Sequence, residues 1–214
     1  MDKTSMILAQ EALKILHEGN HRFVSGVSCL STLTNQVRRR ELAVVQEPFA
    51  IILGCSDSRV PVEIIFDQGL GDLFVIRVAG NIVAPSQIGS VEFAAEQFGT
   101  RLVVVMGHSK CGAILATLEE LGRSSEEQSQ NLRSIVDRIR PSVETLPGVE
   151  LGHHSDSLVQ QAVRANICAS VNHLQHESEV LEQLIQKDGL LIVGAEYSLE
   201  TGVVDFFYKV SQAS

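Results

Sequence analysis

The chain has 214 residues, 44% apolar and 20% charged, the balance of an ordinary globular protein. A chain of this length buries roughly 70% of its unfolded surface, enough for one domain with a substantial core. The net charge of −9 argues against a broad nucleic-acid-binding face. No apolar run reaches the roughly 18 residues of a membrane span, and the N-terminus, acidic at Asp2 and Glu11, lacks the pattern of a secretory signal.

Along the chain, residues 6–24 place Ile7, Leu8, Ala12, Leu13, Leu16 and Phe23 at helical spacing, with Gly19 and Asn20 interrupting the pattern. This segment suits either an arm reaching onto a partner subunit or a helix packed on its own chain. A second amphipathic piece covers about 34–45, where Arg38, Arg39 and Arg40, followed by Glu41, read as a solvated face.

Four short apolar runs come next: Phe49–Leu53 ending at Gly54, Leu73–Ile76, Leu102–Met106 ending at Gly107, and Leu190–Val193 ending at Gly194. Runs of this length without alternation are what strands buried on both faces of a parallel sheet look like. Helical patterns alternate with them over 86–98, 112–121, 127–139 (stopping before Pro141), 157–173 (after Ser155 and Asp156 as N-cap) and 178–187 (closed by Gly189). Phe206, Phe207 and Tyr208 predict a final edge strand that can run antiparallel, and 141–156 reads as a loop. The expectation is an α/β fold with a mostly parallel central sheet, flanking helices and an N-terminal helical arm, in one domain spanning 1–214 (arm 1–45, core 46–214).

The four cysteines, at 29, 55, 111 and 168, are too sparse for a disulfide scaffold, and a reducing cytoplasm is the expected compartment. Cys168 beside Ile167 reads as helix packing and Cys29 as a bystander. The other two end apolar runs in polar clusters, Gly54-Cys55-Ser56-Asp57-Ser58-Arg59 and Gly107-His108-Ser109-Lys110-Cys111-Gly112. Ligands of open parallel sheets bind beyond the carboxyl ends of the strands, and neighbouring strands lie about 4.8 Å apart, so the two clusters share one rim. Cys55, His108 and Cys111 are the donors zinc favours and leave a fourth position open, which Asp57 could fill. On spacing alone, a cysteine beside a buried strand acting as a small hydrophobe remains the competing reading.

The pair CSDSR at 55–59 and HSKC at 108–111 resembles the β-class carbonic anhydrases, marked by Cys-x-Asp-x-Arg and a later His-x-x-Cys. The similarity extends over VPVEIIFDQGLGDLFVIRVAGN, IGSVEFAAEQFG and GHSKCGA. It implies one zinc per chain on Cys55, His108 and Cys111, reversible hydration of carbon dioxide to bicarbonate with zinc-bound hydroxide as nucleophile, and a homodimer that assembles into tetramers or larger. Charge and hydropathy, as above, lead to the expectation of no nucleic-acid or membrane partner. Asp57 is then the acceptor that orients the hydroxide and Arg59 the clamp that keeps this carboxylate off the metal. By the same resemblance Gln46 reaches a partner's substrate across the dimer interface, and Phe74 narrows the carbon dioxide pocket. From composition these two read as a surface residue and strand core. Gly112 would let a backbone N–H approach the anion at a helix start, and Ile88, Gly89 and Val91 would form the apolar wall.

Ser109 and Lys110 lie between ligands as supporting or surface residues, and His153 and His154 read as solvated loop residues. Arg77, Tyr197, Gly54 and Val60 match a bicarbonate effector pocket found in some members, but Ile52 stands where those members carry tryptophan. Arg77 pairing with a carboxylate such as Asp57 is the competing reading. The expectation is a closed state with Asp57 on zinc, reached below about pH 7.5, and a weak or absent bicarbonate response. Rival functions are a carbonyl sulfide or carbon disulfide hydrolase on the same scaffold, a non-catalytic zinc-stabilised protein, and a thiol redox protein, the last disfavoured because Cys-x-x-Cys is missing.

Overall fold

A computed structural model describes residues 7–28, 39–40, 42–121, 129–149 and 155–209, with side chains through Phe207. Five strands form one sheet: β1 Ala50–Gly54, β2 Leu73–Arg77, β3 Leu102–His108, β4 Leu191–Tyr197 and β5 Val204–Lys209. Their spatial order is β2-β1-β3-β4-β5; the first four are parallel, and β5 is an antiparallel edge. All residues of β1, β3 and β4 are buried, the reason their sequences show no polar alternation.

Side chains alternate across the sheet and divide the core in two. Ile51, Leu53, Val103 and Val105 face one layer, covered by α3 Pro85–Gln97, α4 Gly112–Leu121, α5 Gln130–Val143, α6 Asp156–His176 and α7 Glu179–Lys187. Ala50, Ile52, Val104 and Met106 face the other, covered by α1 Ala9–Val24 and the short α2 Val62–Ile65. Serines cap three helices: Ser129, Ser155 and Ser178 accept hydrogen bonds from the backbone N–H of Asn131, Leu158 and Leu181.

The structure departs from the sequence pattern in three places. Gly19 and Asn20 lie inside α1 rather than breaking it. A Cβ at Gly19 would collide with the Phe66 carbonyl. Asn20 donates to the carbonyls of Ile65 (3.2 Å) and Gly202 (2.9 Å) and accepts from Val204 N–H (2.9 Å). Both residues are therefore helix positions selected for close packing. Pro141 also lies inside a helix, two residues before the end of α5, because the missing N–H costs one bond near the end while Val143 is still fully buried. The pattern over 141–156 accordingly begins as helix through Val143, and β4 continues past Gly194 to Tyr197. Residues 6–24 follow the second of their two readings: α1 covers its own chain's sheet, with Ala12 and Leu16 fully buried. Its amphipathic pattern is satisfied there and gives no support for a partner subunit. Half of the amphipathic piece near 34–45 (residues 34–38 and 41), together with Cys29, His153 and His154, lies outside the described residues; Arg39 and Arg40 are exposed.

Candidate metal centre

In the order β2-β1-β3 the chain leaves β1 toward one side of the sheet and returns through β3 on the other. Such a switch point opens a crevice at the strands' carboxyl ends. Gly54, last residue of β1, pairs with Met106 of β3, so Cys55 and His108 emerge side by side. Cys111 arrives through a tight turn in which Lys110 takes a left-handed φ of 54°. All three side chains are buried, and their ligand atoms lie within 4.8 Å of one another.

Several observations fit these residues to a metal. The two Sγ atoms are 4.0 Å apart and both cysteines are free; two sulfurs at about 2.3 Å from a tetrahedral zinc stand about 3.8 Å apart. His108 Nδ1 lies 2.9 Å from the Ser109 carbonyl, which only accepts, so Nδ1 carries the proton and Nε2 presents its lone pair. Nε2 is buried without a hydrogen-bond partner, a costly arrangement that a metal resolves. The Cys111 thiol beside Cys55, together with the N–H groups of Asp57 and Gly80 (each 3.4 Å from the sulfur), pulls Cys55 toward the thiolate. The same Cys55 charge, with burial, pushes Cys111 up. A divalent cation is what allows both to ionise together.

Asp57 and Arg59 form a closed fork next to this cluster. Arg59 donates from Nε to Asp57 Oδ1 (2.9 Å), from Nη2 to Oδ2 (2.7 Å), and from its backbone N–H to Oδ1 (2.9 Å). The guanidinium holds the Asp57 carboxyl well below the usual carboxylate range. Asp57 Oδ2 is 3.8 Å from His108 Nε2, within reach of the metal position but committed to Arg59.

Arg77 does not pair with the Asp57 carboxylate, the alternative left open by the sequence. It donates from Nε to the Cys55 carbonyl (3.1 Å) and from Nη2 to the Asp57 carbonyl (2.6 Å), tying β2 to the ligand loop. Of the other effector-pocket candidates, Val60 and Tyr197 are buried in the α1-side core, and Gly54 pairs with Arg77 across the strands.

Phe74, Ile88 and Val91 meet in the opposite core layer, where Phe74 also contacts Phe93 and Phe98. Gly89 is not among them: no atom lies within 4 Å of where its Cβ would be, because it points away from the face of α3 that carries Ile88 and Val91. Gly112 likewise fronts open space at the start of α4. Gln46 is exposed just ahead of β1, and the strand runs from it toward Cys55, placing it at the far rim from its own ligand cluster. Cys168 is half-buried in α6, and burial pushes its thiol up.

Two supports of the site carried no clear sequence signal. Ser109, Lys110 and the turn after β4 form a strap: Glu200 accepts from Ser109 Oγ (2.8 Å) and pairs with Lys110 Nζ (2.7 Å), and Ser109 N–H donates to the Tyr197 carbonyl (2.9 Å). Lys110 and then Ser109 hold the Glu200 carboxyl down to about 2. The second support is the 3-10 turn Ala79–Asn81, where Gly80 has φ 70° and Asn81 φ 43°. Its Gly-Asn pair after a strand was the one available hint of a turn.

Residues 50–204 match the carbonic anhydrase family. The chain belongs to the β-class carbonic anhydrases. It is 40% identical over 194 residues to a carbonic anhydrase of Mycolicibacterium smegmatis, covering 91% of each chain. It is 37% identical over 203 residues to carbonic anhydrase 2 of Mycobacterium tuberculosis, covering 94% of this chain and 93% of the relative. The crystal structure of a β-carbonic anhydrase from Aspergillus fumigatus superposes with a TM-score of 0.69 at 26% identity, covering 82% of this chain and 81% of that one. Against this family background the buried Cys-His-Cys cluster is the zinc site, one per chain.

Proposed function

We propose that this β-class carbonic anhydrase hydrates carbon dioxide reversibly to bicarbonate and a proton, with zinc on Cys55, His108 and Cys111. The observation that carries this reading is the buried His108 Nε2, which has no hydrogen-bond partner and faces two free thiols inside one 4.8 Å cluster. When bound, zinc lowers the pKa of its water from 15.7 to about 7 and so supplies a nucleophile at neutral pH. The chain's own residues do the rest. Asp57, ionised and held by Arg59, accepts a hydrogen bond from the nucleophile and orients its lone pair. Phe74, Ile88 and Val91 supply an apolar wall, and the open approach at Gly112 exposes backbone N–H groups to the product anion. Gly89 adds to that wall only if another chain covers it.

The rival substrates carbonyl sulfide and carbon disulfide demand the same nucleophile, so substrate choice rests on comparison with known proteins. Stopped-flow hydration on metal-quantified protein, run beside sulfide release from both sulfur compounds, tests the reading. Carbon dioxide hydration is expected to dominate, and sulfide release without hydration overturns the proposal.

The protein acts as a homodimer or larger assembly in this reading, because Gln46 lies at the wrong rim to serve its own site. A mixing experiment tests it. Gln46→Ala and Cys111→Ala chains, each impaired alone, are expected to regain activity as hybrids, since the zinc-bearing chain then receives an intact Gln46 from its partner. Mixtures whose hybrids form but stay at the separate chains' sum would overturn the cross-subunit role.

One domain spanning 1–214, with 1–45 as its arm, is supported by the packing of α1 on its own sheet. A cytoplasmic location is supported by the free thiols of Cys55, Cys111 and Cys168. Among the described residues, no helix is long and apolar enough to cross a membrane.

Closure by transfer of Asp57 to the metal is open to this site, because the carboxylate needs only to exchange its Arg59 fork. Bicarbonate control is weak, because Arg77 spends donors on the Cys55 and Asp57 carbonyls and Ile52 offers none. Catalytic efficiency measured from pH 6.5 to 9 is expected to fall below about pH 7.5 and to change little with added bicarbonate after correction for product inhibition. Cooperative inhibition by millimolar bicarbonate would show that the pocket works without an indole.

A further inference from the structure

The Gly80 N–H that donates to Cys55 Sγ at 3.4 Å belongs to a turn of two successive left-handed residues, Gly80 and Asn81. Asparagine tolerates left-handed backbone better than most residues, but two such residues in succession leave their carbonyls to be satisfied from outside the turn. On the sheet side the turn is anchored by Val78 N–H to the Gly54 carbonyl (3.1 Å) and closed by Asn81 N–H to the Val78 carbonyl (3.0 Å). Among the described residues, the side-chain hydrogen bonds to the turn's carbonyls come from α6. Asn166 Nδ2 donates to the Gly80 carbonyl at 2.8 Å, and Ser170 Oγ donates to the Asn81 carbonyl at 3.0 Å. These two residues stand four apart on one face of α6, and both are buried, at 2% and 3% exposure. Each satisfies the carbonyl of one of the two left-handed residues. Gly80 itself leaves no slack, since a Cβ there would meet Ile139 Cδ1 at 2.8 Å.

We infer that Asn166, assisted by Ser170, is a positioning residue of the zinc centre: it pins the 79–81 turn so that the Gly80 N–H stays on the Cys55 sulfur. A hydrogen bond to a ligating thiolate draws charge from the sulfur and fixes its direction, and loss of such supporting contacts typically weakens metal binding about 10–100-fold. Burial alone would account for two satisfied polar side chains. It does not account for both landing on the same turn, one of two whose N–H groups donate to Cys55 Sγ. The inference rests on the reading of Cys55 as a zinc ligand, and its test separates the two.

The test uses the cobalt-substituted and zinc-loaded full-length protein. In cobalt protein, two thiolate ligands give a sulfur-to-metal charge-transfer band. Asn166→Ala is expected to move that band to lower energy, as the sulfur loses its donor and becomes easier to oxidise. Transfer of zinc to a chelator is expected to be about 10-fold faster or more. Ser170→Ala should move both in the same direction by less, and it serves alone if Asn166→Ala does not fold. Asn20→Ala is the matched control, because it also removes a buried amide that bonds backbone carbonyls, but on the opposite face of the sheet. It is expected to lower thermal stability without moving the band. A parent protein lacking the band overturns the ligand assignment and the inference together. A parent with the band, and Asn166 and Ser170 variants that leave band and zinc release unchanged or shift them no more than Asn20→Ala does, overturns the inference alone.

Discussion

Alanine at Cys111 is expected to leave a protein without zinc and with carbon dioxide hydration reduced at least about 1000-fold, since a nucleophile poised near pH 7 is replaced by ordinary water. Cys111 is 1% exposed and lies 4.0 Å from Cys55 Sγ, so no solvent-borne group can take its place without rebuilding the turn after Lys110. Two ligands remain, and His108 Nε2 is again a buried nitrogen with nothing to bind. Elemental analysis after dialysis against a chelator should find near one zinc per chain in the parent and near none in the variant. Thermal stability should also fall, because an ion that binds only the folded state stabilises it. Full zinc in Cys111→Ala would remove this cysteine from the ligand set.

Arg59→Ala should behave differently: zinc retained, activity lost. The variant is expected to keep one zinc per chain while hydration falls about 100-fold, the size typical of losing a charge-assisted, oriented contact at a reacting centre. Without the fork, Asp57 is free to turn toward the metal position, which its Oδ2 already approaches by lying 3.8 Å from His108 Nε2. Metal-edge spectroscopy should then find four protein ligands in the variant at a pH where the parent keeps an open position. Arg59→Lys should recover only part of the activity, since a point charge cannot reproduce the two-pronged contact. The direction of the pH effect follows from the same pair. Arg59 depresses the Asp57 pKa, so the ion pair is fully formed above the ordinary carboxylate value of about 4. It is lost only as pH falls through the still lower folded value. A drop in parent activity near pH 7.5 is therefore an exchange of Asp57's partner, not protonation of Asp57. Wild-type turnover in Arg59→Ala would dismiss the clamp.

Much of this protein is legible before any coordinate is known. The apolar runs at 49–53, 102–106 and 190–193 give β-strands covered by helices on both faces, which removes the polar alternation and leaves a bare hydrophobic signal. Cys55, Asp57, Arg59, His108 and Cys111 are legible for a related reason: each lies at or just beyond the carboxyl end of a strand, where the ligands of such a sheet bind. What the sequence could not determine were contacts between residues far apart in the chain. Gly19 and Asn20 look like helix breakers until the Phe66 carbonyl and the turn at Gly202 are seen pressed against them. Arg77 has free choice of partner until β2 lies beside β1 and puts two main-chain carbonyls under its guanidinium. Asn166, 111 positions after Cys55 in the chain, becomes part of the metal centre only because α6 crosses the turn that follows β2. Local propensity and hydrophobic period depend on neighbours in sequence, and so the elements and the ligand motifs could be read directly. Which polar group meets which carbonyl is decided by strand order and helix packing, and only the tertiary structure holds that information.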